Sequence, residues 1–297
     1  MSDSAKPAPS HQRTTSFQAS SAGDSDLTDP FVNLTAVGPY EVVGSLGEGH
    51  FGRVLLAFDP RMQRQVAVKV LRSEMNSKEA LESAFAEARA QAAVQHPHVV
   101  TVYEVGELDG GSCYVVSEYL SGGTLDQRMA SGESWSPEAA VDVVVPLAEA
   151  LEAAHRMGLV HRDVKPANVL FDDNDRPFLA DFGLAVRELD QSAVRGQIAG
   201  TVRYMSPEQV AGRAHHLDGR TDIWALGVML YALLTGQHPF SGKTTEETFE
   251  EIRNREPRPL RIRRSDLCPK LEAIVLRCLR KPVSERYGTA ADLATES

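Results

Sequence analysis

The chain changes periodicity once, at Gly122-Gly123, and that change limits its fold more than any other feature. Upstream, residues 40–46, 54–59, 65–71, 99–107 and 112–118 are short and rich in β-branched and aromatic residues. Gly, Pro or charged turns separate them, which is the pattern of strands. Residues 77–93, rich in Ala and Glu, read as a helix set among them. Downstream the pattern is helical. Ser136-Pro137-Glu138 puts a capping hydroxyl before a proline suited to the first turn. That helix is expected to reach about residue 157, with Pro146 kinking or shortening it. Residues 222–235 are apolar nearly all round, so a buried central helix is expected there. Residues 244–255 begin acidic and end basic, matching a helix dipole. Residues 273–280 and 289–295 are expected to close the chain as short helices. The expected fold is α+β and bilobal. A five-stranded antiparallel sheet lobe with one helix (about 39–118) precedes a larger helical lobe (about 122–297). Ligands favour the cleft between two such units.

Residues 1–38 lack this order. Eleven of them are Ser or Thr, and Pro7, Pro9 and Pro30 interrupt any element. This composition reads as a disordered tail, a flexible leader, and Arg13 beside a run of hydroxyls offers the sharper reading of a phosphoacceptor tail. The net charge of −10 argues against nucleic acid as a partner. Three cysteines without a CxxC pair build no disulfide framework, which fits a reducing, cytoplasmic setting. Neither a signal peptide nor a membrane-spanning run is expected: the longest apolar run, 225–234, is about half the length of a span.

Four motifs carry chemistry. Gly47, Glu48, Gly49, His50, Phe51 and Gly52 form a glycine-rich hairpin whose N–H groups can approach phosphates. A strand, not a helix, follows it, which disfavours a dinucleotide-binding fold. Val66-Ala67-Val68-Lys69 ends a buried strand on a lysine, which is costly without an anion. Glu87 on the next helix can pair with it. His161-Arg162-Asp163-Val164-Lys165-Pro166-Ala167-Asn168 gathers an acid, a cation and an amide in one loop. Asp163 can accept a hydroxyl proton, Lys165 can neutralise a transferring phosphoryl group, and Asn168 can ligate Mg²⁺. Asp181-Phe182-Gly183 follows the apolar strand 177–180.

In this order the motifs resemble the eukaryotic-like protein kinases. The bacterial serine/threonine branch is the most similar, through Gly200-Thr201-Val202-Arg203-Tyr204-Met205-Ser206-Pro207-Glu208. The resemblance spans about residues 40–293. It implies ATP and Mg²⁺ as cofactors, with Mn²⁺ as an alternative ion, and Ser/Thr-bearing proteins or peptides as substrates. Residues 47–52 would cover the phosphates, Lys69 would hold the α- and β-phosphates, and Glu87 would orient Lys69. Asp163 would be the catalytic base, and Asn168 and Asp181 would hold the metal. Leu46, Val54, Ala67 and Leu170 would enclose adenine, with the backbone at Glu118 and Leu120 bonding its edge. Asp222 would anchor the catalytic loop and Glu208 would pair with Arg286. Thr201 would bridge Asp163 and Lys165. A transient homodimer would serve autophosphorylation.

The activation segment departs from the family pattern. Ser192 is the one hydroxyl between Gly183 and Gly200. Either it, once phosphorylated, or the Glu188/Asp190 pair would neutralise Arg162. Ser117, small where bulkier residues are frequent, would open a pocket behind adenine. His96, His98, His215 and His216 read as loop histidines, and the arginines between 253 and 264 as a solvated stretch. Two rivals share the fold: a pseudokinase scaffold and a small-molecule phosphotransferase. The full set Lys69, Glu87, Asp163, Asn168 and Asp181 disfavours the first. Lys165 and residues 200–208, which would shape a peptide ledge, disfavour the second.

Overall fold

The computed structural model describes residues 34–49, 52–71, 78–108, 112–132, 135–182, 201–212 and 217–297, without the side chains of 78–84, 87 and 201. The tail's residues 1–33, the loop tip His50 and Phe51, and Ser192 with its acidic neighbours lie outside them.

The first lobe is an antiparallel sheet of six strands, ordered β1-β2-β3-β4-β6-β5. The strands are β1 (Ala36–Val37), β2 (Tyr40–Gly49), β3 (Gly52–Asp59), β4 (Arg64–Leu71), β5 (Val102–Glu107) and β6 (Cys113–Glu118). Helix α1 (Lys78–Ala93) is inserted between β4 and β5. Five strands were expected. The sixth, β1, is a two-residue edge strand turning back at Gly38 onto β2, inside the stretch assigned to the tail. Two residues carry no periodicity, so the sequence gives no strand signal there.

Side-chain alternation in β3 and β4 sorts two faces. Leu55, Ala57, Val66, Val68 and Val70 are buried beneath the sheet. Val54, Leu56, Ala67 and Lys69 take the opposite, half-buried face, where Val54 pairs with Lys69 and Leu56 with Ala67. Ala67 in turn pairs with Ser117 on β6. The sheet is curled. The Tyr40 hydroxyl, from β2, donates to Glu104 Oε2 on edge strand β5 at 2.6 Å, and the Tyr114 hydroxyl donates to Glu104 Oε1 at 3.2 Å.

The second lobe is helical: α2 (Leu125–Ala130), α3 (Pro137–Arg156), α4 (Pro207–Val210), α5 (Arg220–Thr235), α6 (Thr245–Asn254), α7 (Pro269–Cys278) and α8 (Ala290–Glu296). Helix α3 starts as the sequence predicts, with the Ser136 hydroxyl accepting the Ala139 N–H. It is not shortened by Pro146. Its inner face, including Val143, Leu147 and Leu151, is fully packed, and that burial outweighs the lost bond. Helix α5 is buried at every residue from Thr221 to Leu234 and ends on left-handed Gly236. Helix α7 starts four residues earlier than expected, because Pro269 occupies its first turn.

A two-stranded ribbon, β7 (Val169–Phe171) and β8 (Pro177–Leu179), underlies the site. The residues Val99 and Val100, expected to belong to β5, bond to this ribbon instead. The Val100 N–H donates to Leu179 O at 2.9 Å, and the Leu179 N–H donates to His98 O at 2.8 Å. Among the described residues no helix is long and apolar enough to cross a membrane.

Candidate active site

The loop between α3 and β7 is hung from Asp222 at the start of α5. Asp222 is 1% exposed. Its Oδ1 accepts the Arg162 N–H at 2.8 Å, and its Oδ2 accepts the His161 N–H at 2.9 Å. His155 Nε2 lies 2.8 Å from the same Oδ2. This anchorage supports Arg162 at a φ of 68°, in the left-handed region, which a side-chain residue adopts only when its surroundings hold it there. The Gln209 amide, from α4, donates to Arg162 O at 2.8 Å.

His161 is fully buried. Its Nε2 faces Ala180 O at 3.0 Å, and its Nδ1 accepts the Asp163 N–H at 3.3 Å. A carbonyl can only accept, so Nε2 carries the proton. The histidine thereby ties Asp163 to the strand leading to Asp181.

Asp163 and its neighbours form one polar cluster. Lys165 Nζ lies 2.7 Å from Asp163 Oδ2. A short 3-10 turn, Pro166–Asn168, folds Asn168 back so that its Nδ2 donates to Asp163 O (2.8 Å) and Oδ2 (3.1 Å). With the nitrogen so committed, the amide oxygen points away from Asp163. The Ala180 N–H donates to Asn168 O at 2.9 Å, binding this turn to the segment of Asp181.

Asp181 connects the lobes. Its Oδ2 lies 2.8 Å from Lys69 Nζ. Burial pushes its carboxyl up, but the Lys69 ammonium, with Lys165 behind it, offsets this and holds it below the usual range. Asp181 therefore stays an anion. Glu87 lies on α1, but its side chain is outside the described residues, as is that of Thr201, which opens the 3-10 turn Thr201–Tyr204.

On the sheet side, Leu46, Val54 and Ala67 belong to three adjacent strands, β2, β3 and β4. Leu170 lies on β7, half-buried. Gly52 has a φ of 146°, and a Cβ there would lie 1.9 Å from Val70 O, so no other residue fits where the hairpin enters β3. The Glu118 N–H donates to Thr101 O at 2.9 Å at the end of β6, with Leu120 just beyond.

The donor set suits a hard cation. Asp181 and Asn168 offer oxygen, and among the described residues no group of three or more His, Cys, Asp or Glu side chains is arranged to hold a metal ion. Two protein oxygens are what Mg²⁺ takes when phosphates complete its shell. Glu208, expected to pair with Arg286, meets it in two parallel bonds of 2.7 and 2.8 Å. Sequence reasoning did not single out the Asp222 contact of His155 or the bonds of Gln209 and Gln91. Each is a buried or half-buried polar residue on a helix, and no local pattern marks it.

Comparison with known families matches residues 40–296 to the protein kinase domain. The serine/threonine-protein kinase PknB of Mycolicibacterium smegmatis is 37% identical over 86% of this chain and 42% of its own length. A probable serine/threonine-protein kinase of Streptomyces coelicolor is 36% identical over 87% of this chain and 39% of its own. The chain thus spans about two fifths of the length of these curated relatives. Among solved structures, the kinase domain of Mycobacterium tuberculosis PknI aligns with a TM-score of 0.69 at 30% identity, over 88% of this chain and 96% of that one.

Proposed function

The chain belongs to the protein kinase domain family, and on that premise we propose that it transfers the γ-phosphoryl group of ATP to Ser or Thr hydroxyls of proteins, itself included. One observation carries this: Asp163, Lys165 and Asn168 form one bonded cluster, and the Ala180 bonds join it to the Lys69–Asp181 pair. An acid able to take a proton thus stands beside groups able to bind a polyphosphate.

The acceptor hydroxyl oxygen forms a bond to the γ-phosphorus as the bond from that phosphorus to the β,γ-bridging oxygen breaks. ADP departs with that electron pair, and the hydroxyl proton passes to Asp163. Lys165, 2.7 Å from Asp163, offsets charge on the transferring group. Lys69 binds the α- and β-phosphates, and the glycine hairpin residues Gly47, Gly49 and Gly52 leave room above them. Leu46, Val54, Ala67 and Leu170 enclose adenine, and the backbone at Glu118 and Leu120 bonds its edge. Asp181 and the Asn168 oxygen would hold Mg²⁺, or Mn²⁺ in its place, which when bound would supply neutralisation of phosphate charge. Catalysis comes from positioning and electrostatics, with no covalent enzyme intermediate. The cytoplasm, where ATP is supplied, is the proposed setting, and a transient homodimer the proposed route to autophosphorylation.

The test is acceptor choice. With labelled ATP and Mg²⁺, a panel of Ser, Thr and Tyr peptides is offered beside an amino-sugar acceptor. Label on Ser and Thr peptides is expected. Label on the amino sugar alone would instead support a small-molecule phosphotransferase. Nucleotide binding without any transfer would support a pseudokinase scaffold.

A further inference from the structure

One buried polar side chain next to Asp181 has no part in the chemistry above. Gln91, on α1, is 8% exposed. Its Oε1 accepts the Phe182 N–H at 3.3 Å, and its Nε2 donates to Val100 O at 3.3 Å. Reversing the amide would set donor against donor at Phe182 and acceptor against acceptor at Val100, so its orientation is fixed.

The partner matters because of the residue before it. Asp181 has a φ of 59°, a left-handed conformation that persists only when both flanks are held. The upstream flank is well held. Leu179 bonds to His98 and Val100, and the Ala180 N–H bonds to Asn168 O. Ala180 O accepts from His161. On the downstream side, the Phe182 ring lies 4.7 Å from that of His161, and the Phe182 N–H bonds to Gln91. Val100 closes the circuit, giving its N–H to Leu179 and its carbonyl to Gln91.

We propose that Gln91 is a positioning residue. It fixes the backbone after Asp181, so that the carboxylate stays aimed at Lys69 and at a nucleotide-bound ion, and it couples that aim to α1. This rests on the nucleotide-and-metal role proposed above for Asp181. The apolar replacement Gln91→Met matches the length but leaves the Phe182 N–H and Val100 carbonyl unpaired in the interior, where an unsatisfied group is strongly disfavoured.

Two measurements on the full chain test it. The first needs no variant: hydrogen exchange at the Phe182 amide. Protection is expected in the wild type, and an amide exchanging at the free-peptide rate would overturn the proposal. The second is ADP affinity with and without Mg²⁺. Gln91→Met is expected to lose about tenfold of the gain in affinity that Mg²⁺ confers, while metal-free affinity is unchanged. An undiminished gain in a folded Gln91→Met protein would overturn the proposal. Absence of any Mg²⁺ gain in the wild type would count against the role of Asp181 itself, and the exchange measurement would still decide the Gln91 contact separately.

Discussion

Arg286 is 3% exposed, and every direction of its guanidinium is occupied. It makes the two bonds to Glu208 and donates to Arg280 O at 2.8 Å, Arg220 O at 3.0 Å and Lys281 O at 3.2 Å. It also lies 4.9 Å from the Trp224 ring. Such complete satisfaction is what offsets the desolvation of a buried pair. Arg286→Ala should lower stability by about 3–5 kcal/mol, read as a drop in the urea midpoint at unchanged slope. Acid should act on two residues in the same direction. Burial pushes the Glu208 carboxyl up, but the bonds and charge of Arg286 offset this and hold it low. Its contribution is therefore present above the ordinary value of 4.5 and lost as pH falls through the lower folded value. Burial pushes His238 down from 6.5 to about 4, with Arg203 adding to the effect. The unfolded chain then binds this proton first, so stability falls as pH drops from 6.5 to about 4. Denaturation midpoints across that window should decline less in a His238→Gln protein, and an identical decline would exclude His238 as the cause. Ser117 faces the half-buried side of the sheet opposite Ala67. ATP analogues enlarged at the exocyclic amine should bind the wild type about tenfold better than Ser117→Met, measured by competition against ATP. Equal binding would mean that no pocket opens there.

The elements show what a sequence discloses and what it conceals. Strands β3 and β4 were legible because alternation over eight residues is a strong signal, and Lys69 fell on the cleft face by that alternation alone. Helix α5 was legible from its unbroken apolar run. Strand β1 and helix α2 were not. The first is two residues long, and the second is six residues held by a capping box between Thr124 and Gln127. Close approaches were equally silent. A Cβ on Gly227, within α5, would lie 2.4 Å from Cys278 Cβ on α7. Alanine is worth about 1 kcal/mol over glycine in a helix. Here two packed helices would have to separate, at about 1–3 kcal/mol. Gly227→Ala should therefore leave the melting temperature unchanged or lower it; a clear rise would show that α7 yields freely.

At the scale of the molecule, the site is assembled from parts far apart in sequence. The loop proposed to be catalytic hangs from α5 by Asp222, the sheet lobe reaches it through Lys69 and Asp181, and the bonds of Leu179 to Val100 and His98 tie the ribbon to the segment leading into β5. The candidate site residues could be picked out because their types state their chemistry: Asp163 and Asp181 as acids, Lys69 and Lys165 as cations, and Asn168 as an amide. The supports were not, because His155, Gln209 and Gln91 gain meaning only from contacts made across the fold. Asp163 is the proposed base in phosphoryl transfer to protein hydroxyls. Its most direct test is incubation of the purified chain and a protein acceptor with labelled ATP and Mg²⁺, beside Asp163→Asn, with phosphates mapped by mass spectrometry. Label on Ser or Thr in the wild type, reduced at least about a hundredfold in the variant, is the predicted result. Equal labelling of both proteins, or nucleotide binding with no label in either, would contradict it.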